Sequence, residues 1–413
     1  MKIFIFLHQN PYYESSASAN RWRTLIEGLS IYTEIQFVLF ITGGYSNKIE
    51  KQELRVQGNY AGIDYQYLNT LSNDTIWQRR CNKYLLIPLL KKIVKKKALH
   101  YLINKTEGVV WTDSSLEGFE LAVSLKKKKS KLKIFIEMSE FLDIHKYNKG
   151  NVLQRVKGNQ RQKYFETKAI YAYDGMALMT DTLLNYYKQI KGPLPKLLHL
   201  PMTVDFERFE NLISTEYSKS LPRPFVSYVG VMNNKKDGVD ILIKAFDQVK
   251  QLVPDLKLHL FGPYNYDIPG HLQQIANAEL ADSVFYHGEV SRDNVPAILS
   301  EAALLVMPRP NSKQAQGGFP TKLGEYLATG KPVCATTVGE IPDYLTDNES
   351  VFFAQPGSVE SFADAMKRAL SDPENAKIVG MNGKQVAQKE FNKDIQAKKL
   401  HQFLLELQDE KND

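Results

Sequence analysis

Twice along this chain, short apolar runs alternate with longer amphipathic stretches, and that alternation restricts it to layered α/β folds with mostly parallel sheets. In the first half the strand-like runs are Lys2–Leu7, Ile35–Ile41, Gly108–Thr112, Leu132–Glu137, Ala177–Thr180 and Leu197–Leu200. Helical spacing falls on Asn20–Leu29 and Val152–Ala172. The second half repeats the pattern more clearly. Strands are expected at Phe225–Val229, Leu256–Phe261, Val284–His287, Ala303–Met307 and Pro332–Thr336. Helices are expected at Asp240–Gln251, His271–Ala278, Val295–Ser300, Thr321–Ala328, Val359–Leu370 and Asn375–Glu390. A polar, Ser-rich segment closed by Pro222 and Pro224 separates the halves.

A chain of 413 residues exceeds the size at which a single core stops growing, so two domains are expected. Their boundaries are set at 1–203 and 204–390. The amphipathic tail, 391–413, is expected to pack back toward the first domain. Two doubly wound, Rossmann-like domains facing each other would open an interdomain cleft at the carboxyl ends of their strands, where such sheets bind ligands.

Several function classes are disfavoured. Cys81 and Cys334 are too few and too far apart for a disulfide framework or a metal knuckle, which fits a reducing, cytoplasmic setting. The opening MKIFIFLHQNPYYE breaks at Asn10 and Pro11, unlike a signal peptide. No apolar stretch reaches the length of a membrane span. Neither half carries a GxGxxG turn or a Walker A loop, and the eight histidines form no metal-ligand cluster. Neither a cofactor nor a metal is expected.

Charge is unevenly shared. Met1–Leu200 holds 31 basic and 17 acidic residues, +14, whereas the remainder holds 22 and 29, −7. The basic runs Lys91–Lys97 and Lys126–Lys133 lack the interleaved aromatics of a nucleic-acid platform. They read as a solvated surface or as a docking face for an anionic membrane, since the first follows the apolar LLIPLL directly.

The sharpest stretch is QGGFPTKLGEYL, Gln316–Leu327. Gly317 and Gly318 permit a tight turn, Phe319 and Pro320 follow, and a helix begins near Thr321, Lys322 and Leu323. Open amides at a helix start suit a phosphate. Glu325, one turn on, suits two ribose hydroxyls, because a carboxylate offers several acceptor sites. The alternative is an ordinary surface glutamate. A departing diphosphate also needs positive charge. Lys235 and Lys236 follow Gly230, Gly262 ends the next strand, and Arg309 stands just past the strand Ala303–Met307. Lys236 is slightly preferred over Lys235, and the alternative for either is plain solvent exposure. On the first half, Ser18 and Arg21 in the first loop, Asp113, Glu137 and Glu140 at strand ends, and His145 beyond are the candidate acceptor-side contacts, with Glu140 the candidate for a catalytic part. Helix capping is the alternative for Glu137 and Glu140.

These residues make the chain resemble a retaining glycosyltransferase of family 4 with the GT-B architecture. The resemblance rests on PMTVDFERF at Pro201–Phe209, YVG and KKDGVDILIKAF within Tyr228–Phe246, LHLFG at Leu258–Gly262 and VFYHGEV at Val284–Val290. It continues through AALLVMPR at Ala302–Arg309, GFPTKLGEYLATGKPV at Gly318–Val333 and TVGEIPDYL at Thr337–Leu345. In the first half AYDGMALMT at Ala172–Thr180 is the clearest match. The resemblance implies transfer of a sugar from a nucleotide-diphosphate donor, UDP or GDP, to a saccharide or lipid-linked acceptor. Surface-polysaccharide enzymes of bacteria look similar. It implies retention of configuration without a metal, donor binding by the second domain and acceptor binding by the first. Glu325 matches the second glutamate of the family's Glu-x7-Glu motif. The first falls on Gly317. Of the family's Arg–Lys pair, the lysine carries over to Lys236 or Lys235. The arginine after Gly230 is replaced by Val231, and Arg309 is its candidate substitute. A nucleotide-sugar epimerase and a non-catalytic nucleotide-sugar binder are the alternatives.

Overall fold

The computed structural model describes residues 1–7, 11–13, 16–39, 57–60, 62–67, 75–81, 87–142, 160–210 and 215–409. The chain forms two compact units, Met1–Leu200 with Gln396–Asp413, and Pro201–Ile395.

Among its described residues the first unit has eight strands: β1 (Lys2–Leu7), β2 (Glu34–Leu39), β3 (Gln57–Tyr60), β4 (Ile63–Tyr67), β5 (Val109–Thr112), β6 (Lys133–Met138), β7 (Gly175–Leu178) and β8 (Lys196–His199). They lie in the order β3-β4-β2-β1-β5-β6-β7-β8, parallel except for the β3–β4 hairpin. β1, β5 and β6 are buried on both faces, as their near-continuous apolar sequences require. The hairpin is absent from the expected strands: QGNY is a short polar edge strand, and IDYQY alternates over only five residues, too brief a period to stand out. Residues 160–172 carry helical structure, passing through a π turn at Phe165–Ala169 into a 3-10 turn at Ile170–Ala172. The earlier part of the helix expected at Val152–Ala172 lies outside the described residues.

Helix α1 (Ala17–Ser30) is started by Ser16, whose side chain accepts from the amide of Ala19 at 3.1 Å. It buries Leu25, Ile26 and Leu29 against β1 and Trp111. The same cluster contains Leu400, Phe403, Leu404 and Leu407. These belong to the terminal helix Lys393–Asp409, so the chain's last residues complete the first unit's core. Gly175 lies so close to it that a Cβ there would meet Leu407 at 2.3 Å.

The second unit has six parallel strands: β9 (Phe225–Val229), β10 (Lys257–Phe261), β11 (Val284–Tyr286), β12 (Leu304–Met307), β13 (Val333–Thr336) and β14 (Phe352–Ala354). Their order is β11-β10-β9-β12-β13-β14. The chain therefore winds outward in both directions from β9 and β12, and the crevice of such a sheet opens at the carboxyl ends of those two strands. Helices of apolar i, i+3, i+4 spacing cover the sheet. Val239–Lys250, for example, buries Leu242, Ile243, Phe246 and Val249.

Two crossover segments are zipped together inside this unit. Val204 N–H donates to Phe391 O at 2.7 Å, and Lys393 N–H donates to Val204 O at 3.0 Å. Lys393 Nζ bonds Asp205 at 2.8 Å. Met202 and Val204 of this segment pack under Gly324, where a Cβ would meet them at 2.3 and 2.5 Å. Gly324 belongs to the helix α2 (Thr321–Ala328), so the crossover fixes that helix at close range.

Candidate functional site

The candidate site is assembled at the switch point of the second sheet. β9 runs out at Gly230, which has φ +149°, a conformation that glycine adopts readily and other residues rarely do. Its amide donates to Phe261 O at 2.8 Å. Gly262, the corresponding residue after β10, packs so tightly that a Cβ would lie 2.0 Å from Gly230 O. A short helix, Asn234–Asp237, follows β9. Asn233 starts it by accepting from the amides of Lys235 and Lys236 at 3.0 and 3.1 Å. Both lysine side chains are exposed, whereas Asp237 is buried.

Helix α2 lies alongside. Its Tyr326 hydroxyl accepts from the amide of Val229 at 2.8 Å, which anchors it to the end of β9. Pro320 opens the helix and no side chain caps the first turn; the Leu323 amide turns back to Pro320 O at 3.0 Å, which leaves those of Thr321 and Lys322 for a ligand. Lys322 projects back under Gly230. Its Nζ donates to Tyr228 Oη at 2.5 Å and to Asp237 Oδ1 at 2.8 Å. Burial pulls the Lys322 ammonium below the usual lysine range, and Asp237 opposes that pull. Burial, and then the charge of Asp237, push the Tyr228 hydroxyl well up, so it stays neutral. Arg309, just beyond β12, is 8% exposed. Its guanidinium donates to Gln314 O at 3.3 Å and its own carbonyl accepts from Thr336 at 2.5 Å. The charges of Arg309 and Lys236 both act on Lys322.

Glu325 shares a face of α2 with Thr321 and Lys322, four and three residues earlier. It is part-buried, and its Oε1 accepts from Arg208 at 2.7 Å. Arg208 also donates to Arg292 O at 2.8 Å, so it ties the crossover turn Phe206–Phe209 to α2 and to the loop after β11. Glu325 is thus held in place by a cation, and it is not an unattached surface glutamate.

The remaining residues of the motif divide between backbone and core. Gly317 ends a short helix, Lys313–Gly317, and Gly318 leads out of it. Phe319 is 6% exposed and packs on Tyr344 and Phe391, with ring centroids 5.7 and 5.1 Å away. Leu323 is fully buried. The side chains of Phe319 and Leu323 therefore serve packing. The apolar character of both was the signal for this.

In the first unit, Arg21 and Glu137 satisfy each other. Arg21 Nε donates to Glu137 at 3.2 Å and its Nη2 to Leu200 O at 2.8 Å, both side chains being nearly inaccessible. Burial lowers Arg21 and raises Glu137, and each partner's charge opposes the shift. Asp113 is also buried and accepts from the amide and hydroxyl of Ser115, at the start of the helix Leu116–Lys127. Arg21, Asp113 and Glu137 thus spend their polar atoms inside the unit. Ser18 and Glu140 are exposed, and His145 lies outside the described residues. Tyr228, Asp237 and Arg208 were not singled out from sequence. All three lay within quoted motifs, but only the fold shows which side chains they meet. Among the described residues, no group of His, Cys, Asp or Glu could hold a metal ion.

Comparison with known proteins agrees with this architecture. Residues 223–372 match the family described as glycosyl transferases group 1. A GDP-mannose-dependent alpha-(1-6)-phosphatidylinositol monomannoside mannosyltransferase of Mycobacterium tuberculosis is 28% identical over 52% of this chain and 57% of its own length. An N-acetyl-alpha-D-glucosaminyl L-malate synthase of Bacillus anthracis is 24% identical over 53% of this chain and 56% of its own. The match thus spans little more than half the length of either relative. Among solved structures, a sucrose-phosphate synthase of Thermosynechococcus elongatus superposes with a TM-score of 0.73 at 16% identity, covering 98% of each chain. Anabaena HepE in complex with UDP and glucose gives 0.70 at 14% identity, covering 98% of this chain and all of that one. The fold is GT-B, and within its second unit residues 223–372 are similar to the group 1 glycosyl transferases.

Proposed function

We propose that the chain is a retaining glycosyltransferase. It moves a sugar from a nucleotide-diphosphate donor to a saccharide or lipid-linked saccharide in surface-polysaccharide synthesis. The observation that carries this reading is the convergence of cations at the ends of β9 and β12, beside a helix start whose next turn presents Glu325. Cations and open amides suit the diphosphate, and the carboxylate suits the ribose. In the reaction the bond from C1 to the diphosphate oxygen breaks. The acceptor oxygen bonds C1 on the same face, and its proton passes to the departing phosphate. Positive charge aimed at that phosphate stabilises the transition state more than the ground state. The Mycobacterium relative is named for GDP-mannose and the HepE structure for UDP, which supports either base for the donor here.

Calorimetric titration with UDP-, GDP-, TDP- and CMP-sugars tests the reading. One diphosphate donor is expected to bind and CMP-sugars are not. Product analysis without acceptor should show slow hydrolysis and no epimer. Binding with an altered sugar as the only product would replace transfer by epimerisation.

The acceptor side is proposed to work at an anionic membrane surface. No helix among the described residues is long and apolar enough to cross a bilayer. Helix Ile87–Ile103 buries Val94, Ala98 and Leu102 while Leu89 and Ile93 are exposed, together with Lys92, Lys96 and Lys97. Trp77 is 75% exposed on the preceding helix. Apolar tips flanked by lysines match an anionic interface. The protein should co-sediment with vesicles containing phosphatidylglycerol, less at high salt. Reversing Lys92, Lys96 and Lys97 to Glu should abolish it. Equal sedimentation with neutral vesicles would reject the electrostatic part.

A further inference from the structure

The lysine that resemblance assigns to the diphosphate is Lys236 or Lys235, both exposed, but the structure places a different ammonium at the end of β9. Lys236 is exposed on its short helix. Lys322 comes from the opposite side, out of α2, and its Nζ lies 2.6 Å from where a side chain at position 230 would begin. Gly230 is therefore the residue that leaves room for it, and any side chain there would displace the ammonium.

Three contacts fix that ammonium. Asp237 Oδ1 takes one N–H at 2.8 Å. Tyr228 Oη takes a second at 2.5 Å and passes its own proton to Val231 O at 2.8 Å, so it can only accept from the lysine. The Tyr228 ring lies beneath, its centroid 4.3 Å from Nζ. An ammonium has three N–H bonds, and these contacts use two. The third remains beside Gly230, at the carboxyl end of β9. Among the described residues, Asp237 is the one carboxylate paired with Lys322, while Arg309 and Lys236 act on it as further cations. The local charge is positive with the acid counted, which is the condition for holding an anion. Asp237 Oδ2 has no hydrogen-bond partner, so the acid is spent on orienting the lysine and closes no second ion pair.

We propose that Lys322 is the lysine that binds the donor's diphosphate in this chain, with Asp237 and Tyr228 as positioning residues and Gly230 as the opening. The buried cation thus comes from the donor helix, and the acid that orients it comes from the segment after β9. This rests on reading the second unit as a nucleotide-diphosphate site.

The test compares UDP with UMP and GDP with GMP by calorimetry, for wild type, Lys322→Met and Lys236→Met. The wild type should bind the matching diphosphate more tightly than its monophosphate. Lys322→Met should lower diphosphate affinity by about 10- to 100-fold, the range of a lost charge-assisted hydrogen bond, and leave the monophosphate within about threefold. Lys236→Met should cost less. Equal losses for mono- and diphosphate, no loss for the diphosphate, or a larger loss in Lys236→Met would each overturn the assignment. Neutralising Lys322 alone leaves Asp237 buried without its partner. If that variant fails to fold by circular dichroism, the pair Lys322→Met with Asp237→Asn removes both charges and is judged by the same criteria. If neither nucleotide series binds the wild type, the nucleotide reading itself fails and the lysine's role falls with it.

Discussion

Arg309→Met is expected to cut turnover by about 10²- to 10³-fold while changing donor affinity by less than about fivefold. The reasoning follows from where charge develops. On the proposed reading, the diphosphate's charge is spread before the bond to C1 breaks and would already be met by the helix start and Lys322. During departure, charge grows on the leaving oxygen. A guanidinium held rigidly in a dry position is worth most at that moment. Arg309 fits, because it is nearly buried, its guanidinium is fixed on Gln314 O and its backbone on Thr336. Lysine at this position would keep the charge but lose the planar fork, so Arg309→Lys should recover only part of the rate. Release of nucleoside diphosphate by donor hydrolysis measures this without knowing the acceptor. An unaffected rate in folded Arg309→Met would remove the residue from the mechanism. A loss that appears wholly as donor affinity would make it a ground-state binder instead.

Glu325→Ala should weaken nucleotide binding by about 5- to 150-fold, the equivalent of one to three kcal/mol for lost hydrogen bonds to a charged acceptor. The ion pair with Arg208 sharpens the prediction. Arg208 occupies Oε1, which leaves Oε2 as the better-placed acceptor for a ribose hydroxyl. Removing Arg208 unties Glu325 from the loop after β11, so Arg208→Ala should also weaken binding, by a smaller factor. The two losses should not add, because both act through one carboxylate. Donors or nucleotides lacking a ribose hydroxyl supply a readout that a purely structural role would not move. The deoxy compound should bind wild type more weakly than its parent, and Glu325→Ala should no longer discriminate. Persistent discrimination would assign the ribose to another residue. Full additivity of Arg208→Ala and Glu325→Ala would show that Arg208 acts elsewhere.

Much of this protein could be read from its residues alone. Period and punctuation carried the parallel sheets, since runs such as KIFIFL and LLVM fit only strands buried on both faces. The stretch before Glu325 was legible for the same reason: glycines, a proline and a helix start are local chemistry. The hairpin β3–β4 was not legible, because its strands are short and rich in polar residues, so β3 carries no apolar period and that of β4 spans only five residues. Side-chain partnerships across the fold were also out of reach. Arg21 and Glu137 are 116 positions apart and looked like acceptor contacts, yet they close on each other in the interior.

What the sequence determined by itself was therefore the element pattern, the family likeness and the loops where ligands would be met, because each depends on neighbours within a turn or a strand. What only the tertiary structure decided was which charges converge. Lys322 and Asp237 lie 85 positions apart, and Arg208 and Glu325 lie 117 apart. Their pairing follows from the order in which β9, β12 and α2 are brought together. Electrostatics at a site depends on distance in space, and distance along the chain does not report it.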